Sequence, residues 1–162
     1  MSNSIGLYIH IPFCKHKCPY CDFFSGNADE NAFDNYVIEL KDKIKYWSEK
    51  AKRDVATVYF GGGTPTTLSA EQLNTVLGTV NNSFDMSTCR EFTVEAGRPD
   101  TIDIAKLFAL KENKVDRISI NPQTVNDEVL KTIGRKHTAQ QFFDAFELAR
   151  KCGFDNINTD LI

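Results

Sequence analysis

Apolar positions along the chain follow two rhythms that alternate from end to end. Short dense runs, too brief for helices, read as strands at about Gly6–Phe13, Val55–Phe60, Glu91–Ala96 and Val115–Ile120, with a last one opening at Asn156 and running to Ile162. Between them apolar residues recur every three or four positions. Phe33, Tyr36, Val37, Leu40, Ile44 and Trp47 form one stripe on a helix from about Ala32 to Lys50. Ser69-x-x-Gln72 has the pattern of a capping box and opens a helix with Leu73, Val76, Leu77 and Val80 on one face. A short helix follows with Ile104, Leu107 and Phe108 inward. Another, from about Asn126 to Ile133, stops at Gly134. A second capping box, Thr138-x-x-Gln141, opens a helix with Phe142, Ala145, Phe146 and Ala149 aligned, which Gly153 closes.

Strand–helix alternation predicts an α/β fold around a parallel sheet, with Pro122 ending the ladder of the fourth strand. Five such units in 162 residues come to about 32 each, the repeat of a (β/α) barrel. A closed eight-stranded barrel needs roughly 250 residues, so this chain cannot complete one. The chain reads as one domain. Its last apolar run stops at Ile162 with no element to cover it, so we expect a piece of something longer.

Composition narrows the classes. At 41% hydrophobic and 25% charged, with a formal charge of -3, the chain has no basic footprint for nucleic acid or an anionic membrane. No apolar run approaches the ~20 residues of a membrane span, and Met1-Ser-Asn-Ser lacks the pattern of a leader. Five cysteines, an odd number without a secretion signal, argue against a disulfide framework and for a reducing cytoplasm.

Three of those cysteines are set at C-x3-C-x2-C spacing directly after the first strand, as Cys14, Cys18 and Cys21. Thiolates that close can wrap one compact inorganic centre, and a cubane iron–sulfur cluster takes cysteine ligands. Three ligands leave one iron open to a small molecule. Structural zinc needs a fourth ligand. His10 and His16 are the nearest candidates, and His16 lies inside the first spacer. Cys89 and Cys152 read as buried cysteines without chemistry.

Other distinctive residues fall at the carboxyl ends of the strands, where parallel barrels carry their chemistry. Gly61-Gly-Gly-Thr64-Pro65 follows the second strand and lacks the lysine of a P-loop. Its glycines allow close backbone approach, and free amides would suit a carboxylate; a plain tight turn accounts for them equally well. Glu95 ends the third strand, facing a cleft or paired with Arg98 or Arg117. Gln123 follows the fourth strand and Asp160 lies within the fifth. Taken singly, Gln123 is a loop amide, Arg135 a solvated cation, Tyr8 and Tyr20 packing residues, and His10 a core or rim histidine.

Taken together, Tyr8-Ile-His-Ile-Pro-Phe-Cys14 and Cys18-Pro-Tyr-Cys21-Asp-Phe resemble the radical S-adenosylmethionine (SAM) superfamily. Within it the chain is similar to the oxygen-independent coproporphyrinogen III oxidases, or coproporphyrinogen dehydrogenases, and the related heme chaperones. The resemblance implies an open six-stranded (β/α) barrel, of which residues 1–162 supply the N-terminal part of the core domain and about five strands. It implies a [4Fe–4S] cluster on Cys14, Cys18 and Cys21. It also implies that SAM is held by its amino group at Gly62 and Gly63, by Thr64, and by Tyr8, Tyr20, Glu95, Gln123, Arg135 and Asp160.

The implied activity is reductive cleavage of SAM to a 5′-deoxyadenosyl radical that converts propionates of coproporphyrinogen III to vinyl groups. The implied partners are that porphyrinogen and a cytoplasmic electron donor. Two departures pull apart. Asp22-Phe23-Phe24 lacks the further cysteine of the oxidases, as in the heme chaperones, which bind and deliver heme. Glu95-Ala-Gly-Arg-Pro99 and Ser119-Ile-Asn-Pro-Gln123-Thr look instead like a divergent branch of the dehydrogenases.

Overall fold

The computed structural model describes residues 4–162, so the reading of the extreme N-terminus as leaderless lies partly outside it. In chain order the main elements are β1 Ile5–Ile11, α1 Glu30–Ala51, β2 Val55–Gly62, α2 Ala70–Ser83, β3 Glu91–Glu95 and α3 Ile104–Glu112. They continue with β4 Arg117–Ser119, α4 Asp127–Thr132, α5 Ala139–Lys151 and β5 Asn156–Asn158. Single 3-10 turns at Pro65–Thr67 and Pro99–Thr101 follow β2 and β3. The five strands form one parallel sheet in sequential order.

Register explains the two characters of the sheet. Ile9, Phe60, Val94, Ile118 and Ile157 are partners across all five strands, and four of them are buried in the core. Leu73, Val76, Leu77 and Val80 of α2 belong to the same core, with Leu107 and Leu110 of α3 and Ala149 of α5. One residue earlier the row is Tyr8, Tyr59, Thr93, Arg117 and Asn156. Successive side chains on a strand point to opposite faces, so a polar row lies on the face away from that core. Arg117 there pairs with Glu91, and Thr93 donates to the same carboxylate.

Both predicted capping boxes form, Ser69 with Gln72 and Thr138 with Gln141. Three expectations change. In α3 only Leu107 faces inward of the three residues predicted to do so, while Ile104 and Phe108 are 53% and 52% exposed. Phe108 is one residue from Leu107 and so points about 100° away from it. On α1 the stripe is wider than the surface it covers, since Trp47 is 59% exposed while Val37 and Ile44 are buried. The fifth strand ends at Asn158, which leaves Asp160 beyond it rather than within. Pro122 has no N–H for the ladder, and Gln123 beside it takes a left-handed backbone (φ 64°). Pairing resumes only as a single bridge between Gln123 and Leu161.

Candidate functional site

The cysteine loop is tied at its base by the Cys14 amide donating to the Gly26 carbonyl (3.0 Å) and the Gly26 amide to Pro12 (2.9 Å). A turn from Cys18 to Cys21 closes its far end, with the Cys21 amide on the Cys18 carbonyl at 3.0 Å. Lys17 reaches across to the Phe23 carbonyl (3.0 Å), and Arg98 donates to the His16 carbonyl (2.9 Å). All five cysteines are free thiols. Cys14 Sγ lies 3.4 Å from Thr64 Oγ1, and Cys18 is buried with its sulfur 3.9 Å from Arg98 Nη1.

Cys89 and Cys152 pack partly buried against the core, and burial raises the Cys89 thiol pKa. Among the described residues no group of three His, Cys, Asp or Glu side chains could hold one metal ion. His10, weighed above as a zinc ligand, hydrogen-bonds Tyr8 and the Phe24 carbonyl instead. A four-iron cube sets its thiolates farther apart than a single ion sets its ligands. Three free thiols on one loop, beside a buried guanidinium, suit the cube.

The glycine turn is built by contact with this loop. A Cβ on Gly63 would sit 2.5 Å from the Phe13 carbonyl oxygen, a backbone atom that cannot swing aside. The Gly63 amide donates to Ile11 (2.8 Å), the Thr64 amide to Phe13 (2.7 Å) and the Gly62 amide to Glu95 Oε2 (3.3 Å). The free amides expected for a carboxylate are therefore already engaged. Among the described residues nothing donates to the Gly63 carbonyl, so the turn offers an acceptor, which suits an amino group.

Glu95 is paired with neither Arg98 nor Arg117. Its Oε1 accepts from the Tyr59 hydroxyl at 2.5 Å. Burial, and then this bond, push the Tyr59 pKa far up, so the hydroxyl stays a donor at any ordinary pH. Asp160 is oriented by two amides, Asn121 Nδ2 at 3.0 Å and Asn158 Nδ2 at 2.9 Å. Gln123 joins the same turn through its amide on the Asp160 carbonyl (3.2 Å) and its carbonyl under the Ile162 amide (2.9 Å). Arg135 Nε donates to the Tyr20 hydroxyl at 2.9 Å, fastening the segment after α4 over the cysteine loop. Gly134 (φ 76°) permits this, because a Cβ there would stand 2.7 Å from Pro19 Cδ.

These groups enclose one cleft of about 310 Å³. Cys14, Cys18, Cys21, Tyr20, Gly62, Gly63, Thr64, Glu95, Gln123, Arg135 and Asp160 all line it. Tyr8 does not. It is 61% exposed, stacks on Tyr59 (ring centroids 6.2 Å apart), and borders a separate hollow of about 470 Å³ between β1 and α1. Sequence reasoning missed Tyr59, Arg98 as a lining residue, and Asn121. Tyr59 had a signal, a polar aromatic alternating with buried Val58 and Phe60, but Asn121 and Arg98 had none beyond lying at strand ends.

The sheet and loops superpose on coproporphyrinogen III oxidase (HemN) from Escherichia coli with a TM-score of 0.89 at 28% identity, over 99% of this chain and 37% of that one. The chain is 42% identical over 168 residues to the oxygen-independent coproporphyrinogen-III oxidase-like protein HemZ of Bacillus subtilis, covering 100% of itself and 34% of that protein. It is also 42% identical over 157 residues to the heme chaperone HemW of the same organism, covering 96% of itself and 41% of HemW. The chain thus spans between a third and a half of the length of these relatives. The Radical SAM superfamily profile matches residues 8–162, nearly the whole chain. The chain therefore belongs to the Radical SAM superfamily, whose cofactors are a [4Fe–4S] cluster and SAM.

Proposed function

We propose that the chain is the cluster- and SAM-binding part of a radical SAM oxidoreductase that decarboxylates coproporphyrinogen III to protoporphyrinogen IX without oxygen. The observation that carries this reading is the convergence on one cleft, from five successive strand ends, of three free cysteines, the turn of Gly62, Gly63 and Thr64, Glu95, Gln123 and Asp160, with Arg135 reaching it from the segment after α4. Cys14, Cys18 and Cys21 are the cluster ligands. The Gly63 carbonyl accepts from the SAM amino group, with Thr64 beside it, and Glu95 is held in place by Tyr59. Arg135 and Asp160 supply a fixed cation and a fixed anion for the polar groups of SAM, and Tyr20 acts by fastening Arg135. Tyr8 contributes through its stack on Tyr59. Bound together, the cluster and SAM supply one-electron chemistry that yields a primary carbon radical able to take hydrogen from a propionate; the protein supplies orientation and exclusion of water.

Residues beyond this stretch in the longer relatives complete the porphyrinogen pocket, and a cytoplasmic donor supplies the electron. A heme-chaperone role is the second reading, favoured by Asp22-Phe23-Phe24 without a further cysteine and by HemW at the same identity as HemZ. The test is an anaerobic assay of the full-length, cluster-reconstituted protein with SAM, a reductant and coproporphyrinogen III. Protoporphyrinogen IX and carbon dioxide are the expected products. Tight stoichiometric heme binding without turnover would replace the first reading with the second.

A further inference from the structure

Arg98 is the most confined cation at the site. Its side chain is 3% exposed, and its Nη2, out of reach of water, has no hydrogen-bond partner among the described residues. The rest of the guanidinium is only partly satisfied. Nη1 donates to the His16 carbonyl at 2.9 Å, and Nε meets a single carboxylate, Asp100 Oδ1, at a long 3.4 Å. Burying a charge is costly unless it is paired and its hydrogen-bonding groups are used. The same Nη1 also lies 3.9 Å from the sulfur of Cys18, one of the three loop thiols. The field of this guanidinium also extends beyond the loop. His137 is held below its usual pKa first by burial, against its bond to the Pro122 carbonyl, with Arg135 and, to a smaller extent, Arg98 adding to the lowering.

We infer that Arg98 is the internal counter-cation of the cluster, a positioning residue that places an N–H group and a positive charge on the Cys18 side of the iron–sulfur centre. The inference rests on the cluster reading of the three cysteines. A cluster on three thiolates is anionic and becomes more so on reduction, so a cation held out of water beside it stabilises the reduced form. Hydrogen bonds to the sulfurs and net charge are the protein's means of setting such potentials. Arg98 does this from outside the ligand set, at the N-cap of the 3-10 turn after β3, through the same bond that braces the loop at His16. Asp100 holds the Nε end, while Nη1 lies between the His16 carbonyl and the Cys18 sulfur.

The experiment is a reductive titration of the full-length reconstituted protein, followed by electron paramagnetic resonance, for wild type, Arg98→Met and Arg98→Lys. At the wild-type midpoint potential, Arg98→Met should show a ratio of reduced to oxidised cluster about tenfold lower, or about 59 mV for a one-electron couple. Arg98→Lys keeps the charge and should fall between the two. A guanidinium that merely braced the loop would change iron content and thermal stability and leave the midpoint where it was. An unshifted midpoint in Arg98→Met overturns the inference. So does loss of the cluster from both variants, which would make the residue a brace alone. Should Arg98→Met alone fail to hold a cluster, a midpoint in Arg98→Lys displaced by less than the about 59 mV expected for a neutral side chain supports the inference, and one displaced by that much or more overturns it. Wild type that takes up no iron and sulfide would overturn the cluster reading together with this one.

Discussion

At the scale of single residues, the site is organised by side chains that hold other side chains. Tyr59 is the clearest case, because among the described residues Glu95 has two donors, the Tyr59 hydroxyl at 2.5 Å and the Gly62 amide at 3.3 Å. A hydrogen bond to a charged group contributes about 1.5–3 kcal/mol. Tyr59→Phe keeps the ring and its stacking on Tyr8 while freeing one carboxylate oxygen. The expected result is SAM binding to the cluster-loaded protein weakened about tenfold, read by equilibrium dialysis, with thermal stability nearly unchanged. Equal affinity would detach Glu95 from the cofactor. Glu95 was legible in the sequence because a carboxylate between Val94 and Ala96 at a strand end is unusual. Tyr59 was legible only as a polar aromatic on one face, because alternation assigns a residue to a face without saying which neighbour's side chain it meets. Arg98 was legible as a charge, yet its partner could not be read, since the contact with the loop spans 82 positions in the chain.

At the scale of elements, helices with a regular stripe were legible and those without were not. α2 buries all four of its predicted residues, and α5 buries Phe142, Ala145 and Ala149, each helix opened by a capping box formed as read. α3 has apolar residues on more than one side, so periodicity alone could not choose the face that meets the core. The segment joining α4 to α5 carries a prediction. His137 is buried with its Nε2 on the Pro122 carbonyl at 3.1 Å, next to Gln123, and its Nδ1 has no partner among the described residues. Burial lowers its pKa from 6.5 against the Pro122 bond and Asp100, which raise it, with Arg135 and Arg98 adding to the lowering. The folded protein therefore releases this proton more readily than the unfolded chain. Its contribution to stability is complete above pH 6.5 and falls away as the pH drops below that value. The loss is at most about 1.4 kcal/mol per pH unit for one proton. His137→Gln keeps a donor for Pro122 without a titrating ring. Urea unfolding at pH 7.5 and 5.5 should show wild type losing more stability than the variant. Parallel losses would mean that His137 has no part in acid sensitivity.

At the scale of the whole molecule, strand order and the location of the site follow from one repeated unit. Each parallel strand delivers its carboxyl end to the same edge of the sheet, so five separate stretches of sequence meet on one cleft although none is adjacent to the next. That convergence was legible from position alone. The substrate was not, because this stretch is equally similar, at 42% identity, to a relative named as oxidase-like and to one named as a heme chaperone. The geometry makes a collective prediction. A ligand bound only by the folded form stabilises it by about 2.7 kcal/mol at a hundred times its dissociation constant. Here that effect should be spread over all five strand ends, since the groups proposed to hold the cofactors come from every one of them. Hydrogen exchange of the cluster-loaded, full-length protein with and without SAM should show slower exchange in peptides covering residues 12–25, 61–64, 95–98, 121–123 and 158–162. The amides of Gly63, Thr64 and Gln123 already carry internal bonds, so protection there would report suppressed opening of the loops rather than new contacts. Peptides from the outer helices α1 and α2 should change little, because they cover the opposite face of the sheet. Protection confined to the cysteine loop would mean that SAM is held by the cluster alone, and that the remaining strand ends shape the cleft without gripping the cofactor.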